Sequence, residues 1–410
     1  MPCLVQIHTD MVQNILDWMP FEYTLRLFPI TARKHMEQLP ERYSYTWACQ
    51  LTDNRLRIRA LLILLHLGRL PENSLCIDHC SQKGNIYLLQ RIFRILQSHS
   101  HVTPTLFYSH RAVDWATQYG WVHVLDWWLE NCRQLHIPFR YSQHALDWAS
   151  QHGQLNSLSW WKRQFLRQSN LELKYSKDAM DFAHCPQVLD WWLQMNMQHD
   201  VDLKYSTRAI DGCKDTRILD WWVAVSTTYG IRMKYKTQSI NTASADGNEL
   251  ILNWWFNRKP SAQIHLKYTE YAMDHASANG HVHILEWWLK QWEEHRYPMR
   301  YTSAAIDFAS EHGHLPVLEW WFNKHQEGRV LFKRTVQAVN QASRNGHLHV
   351  LNWWIFLFRR YKLPFLYDSW AIEWALENEP VLRWWVDMRS RYGLPVEPLN
   401  WSRYHNLAFK

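Results

Sequence analysis

Glycine is scarce in this chain: 410 residues hold twelve, none adjacent to another and none in a Gly-x-Gly arrangement. A phosphate-cradling loop or a dinucleotide fingerprint needs closely spaced glycines to bring backbone N–H groups up to the ligand, so both are excluded. There is no Gly-x-Ser-x-Gly elbow, no His-Glu-x-x-His and no Cys-x-x-Cys, which removes the common signatures of serine hydrolases, zinc proteases and zinc ribbons. Cysteine is sparse too. Seven residues with no regular framework fit a reducing compartment. Long apolar runs are missing, since the most apolar stretch, Ala60 to Leu67, is too short to span a bilayer. Met1 to Asp10 lacks a basic region followed by an apolar one. These absences predict an intracellular protein, cytoplasmic or nuclear, with no membrane association, no catalysis, no cofactor and no metal.

Tryptophan is abundant, with 27 residues, and most of it comes in pairs. Tandem tryptophans stand at Trp127/Trp128, Trp160/Trp161, Trp191/Trp192, Trp221/Trp222, Trp254/Trp255, Trp287/Trp288, Trp320/Trp321, Trp353/Trp354 and Trp384/Trp385. Successive first members are separated by 33, 31, 30, 33, 33, 33, 33 and 31 residues. A near-constant period in this range marks a solenoid, in which each unit buries its apolar face only by stacking on its neighbours. The length alone suggests two or three domains. A solenoid sharing one continuous core replaces that expectation.

The stretch from Lys267 to Lys290 serves as the type unit. Thr269 is placed to cap a helix with its hydroxyl. Ala272, Met273 and Ala276 give a short stripe at helical spacing, and Asn279-Gly280 ends it. This is helix A. Helix B follows, with Val282, Ile284, Leu285, Trp287, Trp288 and Leu289 around most of its circumference, the pattern of a helix covered on several sides. The Trp pair is therefore core. From the acidic or amide position of helix A to the first Trp the count is 13 for Asp114, Asp147, Asn241, Asp274, Asp307 and Asn340, 10 for Asp181 and Asp211, and 11 for Glu373. From the first Trp to the next such position it is 20, or 21 after Trp160. Length variation thus falls at the A-to-B turn. The constant B-to-A connection alternates as in Leu171-Glu172-Leu173-Lys174-Tyr175, which reads as extended backbone with one buried side.

Gly280-His281-Val282-His283-Ile284-Leu285, Gly313-His314-Leu315 and Gly346-His347-Leu348 resemble the second-helix text of the ankyrin repeat. The Thr-Pro-Leu-His opening of that family is replaced by Ala272-Met273-Asp274 or Ala305-Ile306-Asp307, so the hydrogen bonds that open the first helix must be remade by other groups. The resemblance covers residues 72–400 and implies an all-α, ankyrin-like solenoid of helical hairpins. It also implies a protein partner lying along the concave face made by helix A and the preceding connection. The residues after the cap, such as Gln143/His144, Lys177/Asp178, Thr207/Arg208 and Glu270/Tyr271, would read that partner.

Residues 1–45 stand outside the repeat. Leu16, Pro20, Leu25, Leu27 and Ile30 belong to short apolar helical pieces broken by Pro20 and Pro29. Their text resembles a degenerate F-box, which would imply a ligase adaptor as partner and the repeats as substrate receptor of a cullin-type ubiquitin ligase. The same residues suit a cap shielding the first repeat. Residues 46–71 form a helical lead-in with the pattern of a decayed repeat, and 401–410 are a C-terminal tail.

Three rows recur at fixed register. The first is the helix-A acid or amide already counted. The second precedes the Trp pair: Asp126, Asp190, Asp220, Asn253, Glu286, Glu319 and Asn352. Carboxylates held close would repel, so both rows are expected to face donors, an indole N–H among them. The third row is Arg140-Tyr141, Lys174-Tyr175, Lys204-Tyr205, Lys234-Tyr235, Lys267-Tyr268 and Arg300-Tyr301. With a formal net charge of +7, this ladder could meet an acidic protein surface or a nucleic-acid backbone, since helical repeats can read one base per unit. Alternatively each stem lies along the solenoid with its charge in water. Cys76, His79 and Cys80, and the pairs His281/His283, His312/His314 and His347/His349, lack the three or four convergent ligands zinc requires.

Overall fold

In the computed structural model, residues 75–90, 93, 108–167, 171–258 and 264–394 are described. The 1–45 module with Leu16, Pro20, Leu25, Leu27 and Ile30, the 46–71 lead-in and the 401–410 tail lie outside them. The described residues hold helices and turns and no strand, which makes this an all-α repeat solenoid. The chain divides into two compact units at Tyr205/Ser206.

The first unit opens with Leu75–Gln82 (α1). Three hairpins follow: His110–Gln118 (α2) with Val122–Gln134 (α3), His144–Gln151 (α4) with Leu155–Arg167 (α5), and Asp178–Asp181 (α6) with Pro186–His199 (α7). The second unit contains Arg208–Asp211 (α8) with Thr216–Tyr229 (α9), Gln238–Ala245 (α10) with Glu249–Asn257 (α11), and Tyr271–Ala278 (α12) with Val282–His295 (α13). It continues with Ala304–Glu311 (α14) and Leu315–Gln326 (α15), then Gln337–Arg344 (α16) and Leu348–Tyr361 (α17). The last hairpin pairs Trp370–Glu373 (α18), extended by a 3-10 turn at Trp374–Glu377, with Glu379–Tyr392 (α19).

Helix A is built of small residues because A helices pack on A helices of neighbouring repeats. Ala112, Ala116, Ala145, Ala149, Ala305 and Ala309 are fully buried there, and a larger side chain would push the helix axes apart. Helix A stops at a glycine in the left-handed region. Gly280 has φ +81°, and the next N–H, of His281, returns to the Ala276 carbonyl at 2.9 Å, the closure that frees the chain to reverse. Both tryptophans sit on helix B. The second member is the deeper: Trp288 is 0% exposed and Trp287 6%, and the two rings meet edge to face at 5.1 Å. The connection before helix A is extended, with Leu171, Leu173 and Tyr175 buried and Glu172 and Lys174 exposed between them.

The shortened repeats correct the sequence expectation in one respect. The A-to-B turn is not where the residues are lost. Helix A is eight residues in α4 and α12 but four in α6 and α8, so the deletion removes its second turn. In the Glu373 repeat, two residues shorter, that second turn survives as a 3-10 turn, whose larger rise lets fewer residues cover the same length.

Candidate binding face

The first acidic row fixes each repeat to the next. Asp114 accepts from the Ser142 backbone N–H at 2.9 Å and from its hydroxyl at 2.6 Å. Asp147 holds Ser176 the same way, at 2.9 and 2.8 Å. Asp274 holds Thr302 and Asp307 holds Thr335, each with backbone contacts of 2.9 Å. The captured hydroxyl in turn accepts from the N–H two residues on, as Ser142 does from His144 at 3.2 Å. It thereby caps its own helix, replacing the opening that the ankyrin text supplies. Departures from the pattern compensate. Asn340 donates to Asp368 at 2.7 Å where the cap is itself acidic, and Asp211 takes Lys236 N and Ser239 Oγ where no hydroxyl follows the basic-aromatic pair. Burial pushes the carboxyls of Asp114, Asp147, Asp274 and Asp307 above the usual range, and the cap hydrogen bonds pull back against it.

The second row receives the indoles. The N–H of the first Trp of a pair donates to the acid or amide one repeat earlier: Trp160 to Asp126 at 2.6 Å, Trp254 to Asp220 at 2.6 Å, Trp287 to Asn253 at 2.7 Å and Trp320 to Glu286 at 2.7 Å. The second Trp uses a row that the sequence reading passed over, a helix-A hydroxyl three residues after the acid. Trp128 donates to Ser81, Trp161 to Thr117, Trp192 to Ser150, Trp288 to Ser244, Trp321 to Ser277 and Trp385 to Ser343, at 2.8–3.2 Å. The fixed offset from Asp114 to Thr117 and from Asp274 to Ser277 was its signal.

The structure brings the basic-aromatic row into the framework while leaving its charges at the surface. The tyrosine ring packs on the second Trp of its own repeat in Tyr141–Trp161, Tyr175–Trp192, Tyr235–Trp255, Tyr268–Trp288 and Tyr301–Trp321, at 4.5–4.9 Å. Its hydroxyl donates to a carbonyl of the next connection, Tyr141 to Glu172 and Tyr175 to Asp202 among them. Burial raises the phenols of Tyr141, Tyr175 and Tyr268 to about 12. The next repeat's cation then lies over that ring: Lys174 over Tyr141 at 4.8 Å, Lys204 over Tyr175 at 4.2 Å, Lys267 over Tyr235 at 4.5 Å and Arg300 over Tyr268 at 5.4 Å. Arg140 stands over Tyr108, and Lys333 over Tyr301 at 4.4 Å adds a member not anticipated from the sequence. Lys234 and Tyr205 occupy the same register, Lys234 exposed and Tyr205 half-buried.

Outside this framework, helix A presents a different surface. Gln143, His144, Lys177, Arg208, Glu270 and Tyr271 are exposed, and Asp178 and Thr207 are half-buried. One residue past the acid stand Trp115, Trp148, Phe308 and Trp374, half-buried, and Phe182, 41% exposed. Their outer faces are partly covered. His144 lies flat on Trp148 at 4.7 Å, Tyr271 on His275 at 3.6 Å, and Arg111 stands over Trp115. Among the described residues no group of three or more His, Cys, Asp or Glu is placed to hold a metal ion, and no described helix is long and apolar enough to cross a membrane.

No protein-family model matches the sequence, and no curated protein matches it. Among solved structures, the crystal structure of the pentatricopeptide repeat protein PPR10 from maize is similar over 96% of this chain and 65% of that one, at 9% identity and a TM-score of 0.39. This chain therefore spans just under two thirds of that protein's length. No residue correspondence follows from a likeness at that level.

Proposed function

We propose that the repeats are a non-catalytic scaffold that holds a protein partner against the face made by helix A and the connection before it, as the resemblance to ankyrin repeats implies. The observation that supports this most is a division between constant and variable positions within the chain. The Trp pairs, both acidic rows and the hydroxyl row are engaged with one another from repeat to repeat. The outer position of helix A changes from each repeat to the next: Arg111, His144, Asp178, Arg208, Gln238, Tyr271, Ala304, Gln337 and Trp370 stand there in turn. A varied surface on a repeated frame suits a partner with varied side chains, with exposed aromatics and arginines as its anchors.

Nucleic acid is the weaker reading. Base-stacking sites need open ring faces, and here His144 and Tyr271 occupy the neighbouring rings. If the F-box resemblance of residues 1–45 holds, the captured partner is a ligase substrate and an adaptor binds at the other end. Affinity capture from native lysate, with adaptor and nucleic acid both assayed, tests this. The expected result is a protein retained by the wild type and lost in a Trp148→Ala, Phe308→Ala variant of unchanged helicity. Retention of nucleic acid alone, with a steep dependence on salt, would overturn it.

A further inference from the structure

We propose that Lys267, Arg300 and Lys333, the regularly spaced cations of the second unit, take an extended acidic segment of the partner, with a carboxylate at every third residue. The inference rests on the protein-partner reading above and specifies its chemistry.

In the second unit Lys267, Arg300 and Lys333 recur 33 residues apart and are exposed. Each is held at two points by the repeat before it. The cation lies over the tyrosine ring, and a nitrogen reaches that tyrosine's carbonyl, Lys267 to Tyr235 at 3.5 Å, Arg300 to Tyr268 at 3.3 Å and Lys333 to Tyr301 at 3.1 Å. Their side-chain entropy is therefore already reduced, which lowers the cost of binding an anion. Among the described residues none of these three, nor Arg140, Lys174 or Lys204 in the first unit, forms an ion pair. Arg258–Asp220, Lys324–Glu286, Arg329–Glu293 and Lys214–Asp246 are ion pairs on or beside B helices and at an A-to-B turn. Asp274 and Asp307 on the A helices of this unit are buried and bond the caps. Lys267, Arg300 and Lys333 thus offer ordered positive charge with no ion-pair partner among the described residues.

Spacing selects the occupant. Packed helices lie about 8–10 Å apart, so one cation recurs at roughly that interval. A polyproline-type chain rises ~3.1 Å per residue with three residues per turn, which returns the same face every ~9.3 Å. A helical partner would present its heptad position every ~10.5 Å, beyond the interval.

The test measures fluorescence anisotropy of the full-length protein with a labelled peptide of four Glu-Pro-Ala triplets. Comparators are a peptide of the same composition with its glutamates grouped, an alanine-based helical peptide with Glu at every seventh position, and oligouridylate. We expect the in-register peptide to bind about tenfold tighter than the grouped one, since several modest ion pairs add. That preference should vanish in Lys267→Gln, Arg300→Gln, Lys333→Gln and persist in Lys267→Arg, Lys333→Arg, with circular dichroism confirming that both fold. Equal binding of the two extended peptides, tighter binding of the helical one, or a preference unaltered in the Gln variant would overturn the inference. If the partner captured through Trp148 and Phe308 is still retained, the scaffold reading survives that failure. Oligouridylate bound tighter than every peptide would end both.

Discussion

Trp191 and Trp255 are buried like their equivalents, yet their indole nitrogens find no acceptor. The preceding repeat explains each case. Ser159 stands where Asp126 and Asp220 serve other pairs, and Lys214 stands where a helix-A hydroxyl would be. A buried donor without a partner forfeits its desolvation cost. Ser159→Asp is therefore expected to raise stability by about 1 kcal/mol, read as a shifted urea midpoint, and an unchanged midpoint would show that the indole is already satisfied. Trp288→Ala, which removes a fully buried ring, should cost on the order of 3–5 kcal/mol. At this scale the burial of the Trp pairs and the need of the acidic rows for donors were legible from spacing. The hydroxyl row was not, because a helical serine commonly bonds its own turn, as Ser81 does to the Ile77 carbonyl at 3.0 Å. Sequence does not reveal that the same oxygen also accepts from Trp128 at 2.9 Å.

Helix B runs 13 or 14 residues in most repeats, whereas α6 and α8 are single turns of four. A lone turn has little cooperativity of its own and holds only through packing. Amides of Asp178–Asp181 and Arg208–Asp211 should exchange with solvent faster than those of α12 and α14 by hydrogen-exchange mass spectrometry. Equal protection would mean that neighbouring elements, rather than helix length, set the stability there. The two hairpin helices and the extended connection could be read from periodicity. The site of the deletions could not: counting residues between markers gives a total, and only the path of the chain shows that Phe182 and Gly212 follow the last helical residue. The face was legible in part. Alternation marked Lys174 and Lys267 as exposed, but that each lies on the preceding repeat's tyrosine depends on a register between repeats that sequence leaves open.

Across the second unit, a histidine opens helix B in three successive repeats and packs on the glycine that ends helix A of the repeat before. A Cβ on Gly247, Gly280 or Gly313 would meet the ring of His281, His314 or His347 at 3.0 Å or less, so alanine at these positions would have to displace the ring as well as adopt a left-handed φ. Burial lowers the pKa of all three, and neighbouring histidines lower it further, His283 beside His281, His312 beside His314 and His349 beside His347, while Asp246 acts the other way on His281. With folded pKa values below the unfolded 6.5, the neutral rings contribute stability that is complete above that value and lost as pH falls through the folded values. Melting followed by tryptophan fluorescence should therefore show a lower midpoint at pH 5 than at pH 7.5. His314→Asn should lessen the difference, Asn248 already serving at the equivalent position by accepting from Ile251 N at 3.2 Å. The raised carboxyls of Asp274 and Asp307 act with opposite sign, gaining stability as pH falls toward 3.8, so the drop in midpoint is the histidine contribution net of theirs. A wild-type midpoint that does not fall between those pH values would exclude this role for the histidines.

The indole bonds all point one way along the chain. Trp160 reaches Asp126, Trp288 reaches Ser244, Trp321 reaches Ser277, and in each case the acceptor belongs to the repeat made earlier. Removing repeats from the C-terminal side therefore uncovers hydroxyls and carboxylates, groups that water satisfies readily. Removal from the N-terminal side strands indoles that are wedged in the core. A chain emerges from the ribosome N-terminus first, so in these repeats the acceptors are synthesised before the indoles that need them, an order that suits vectorial growth of the array.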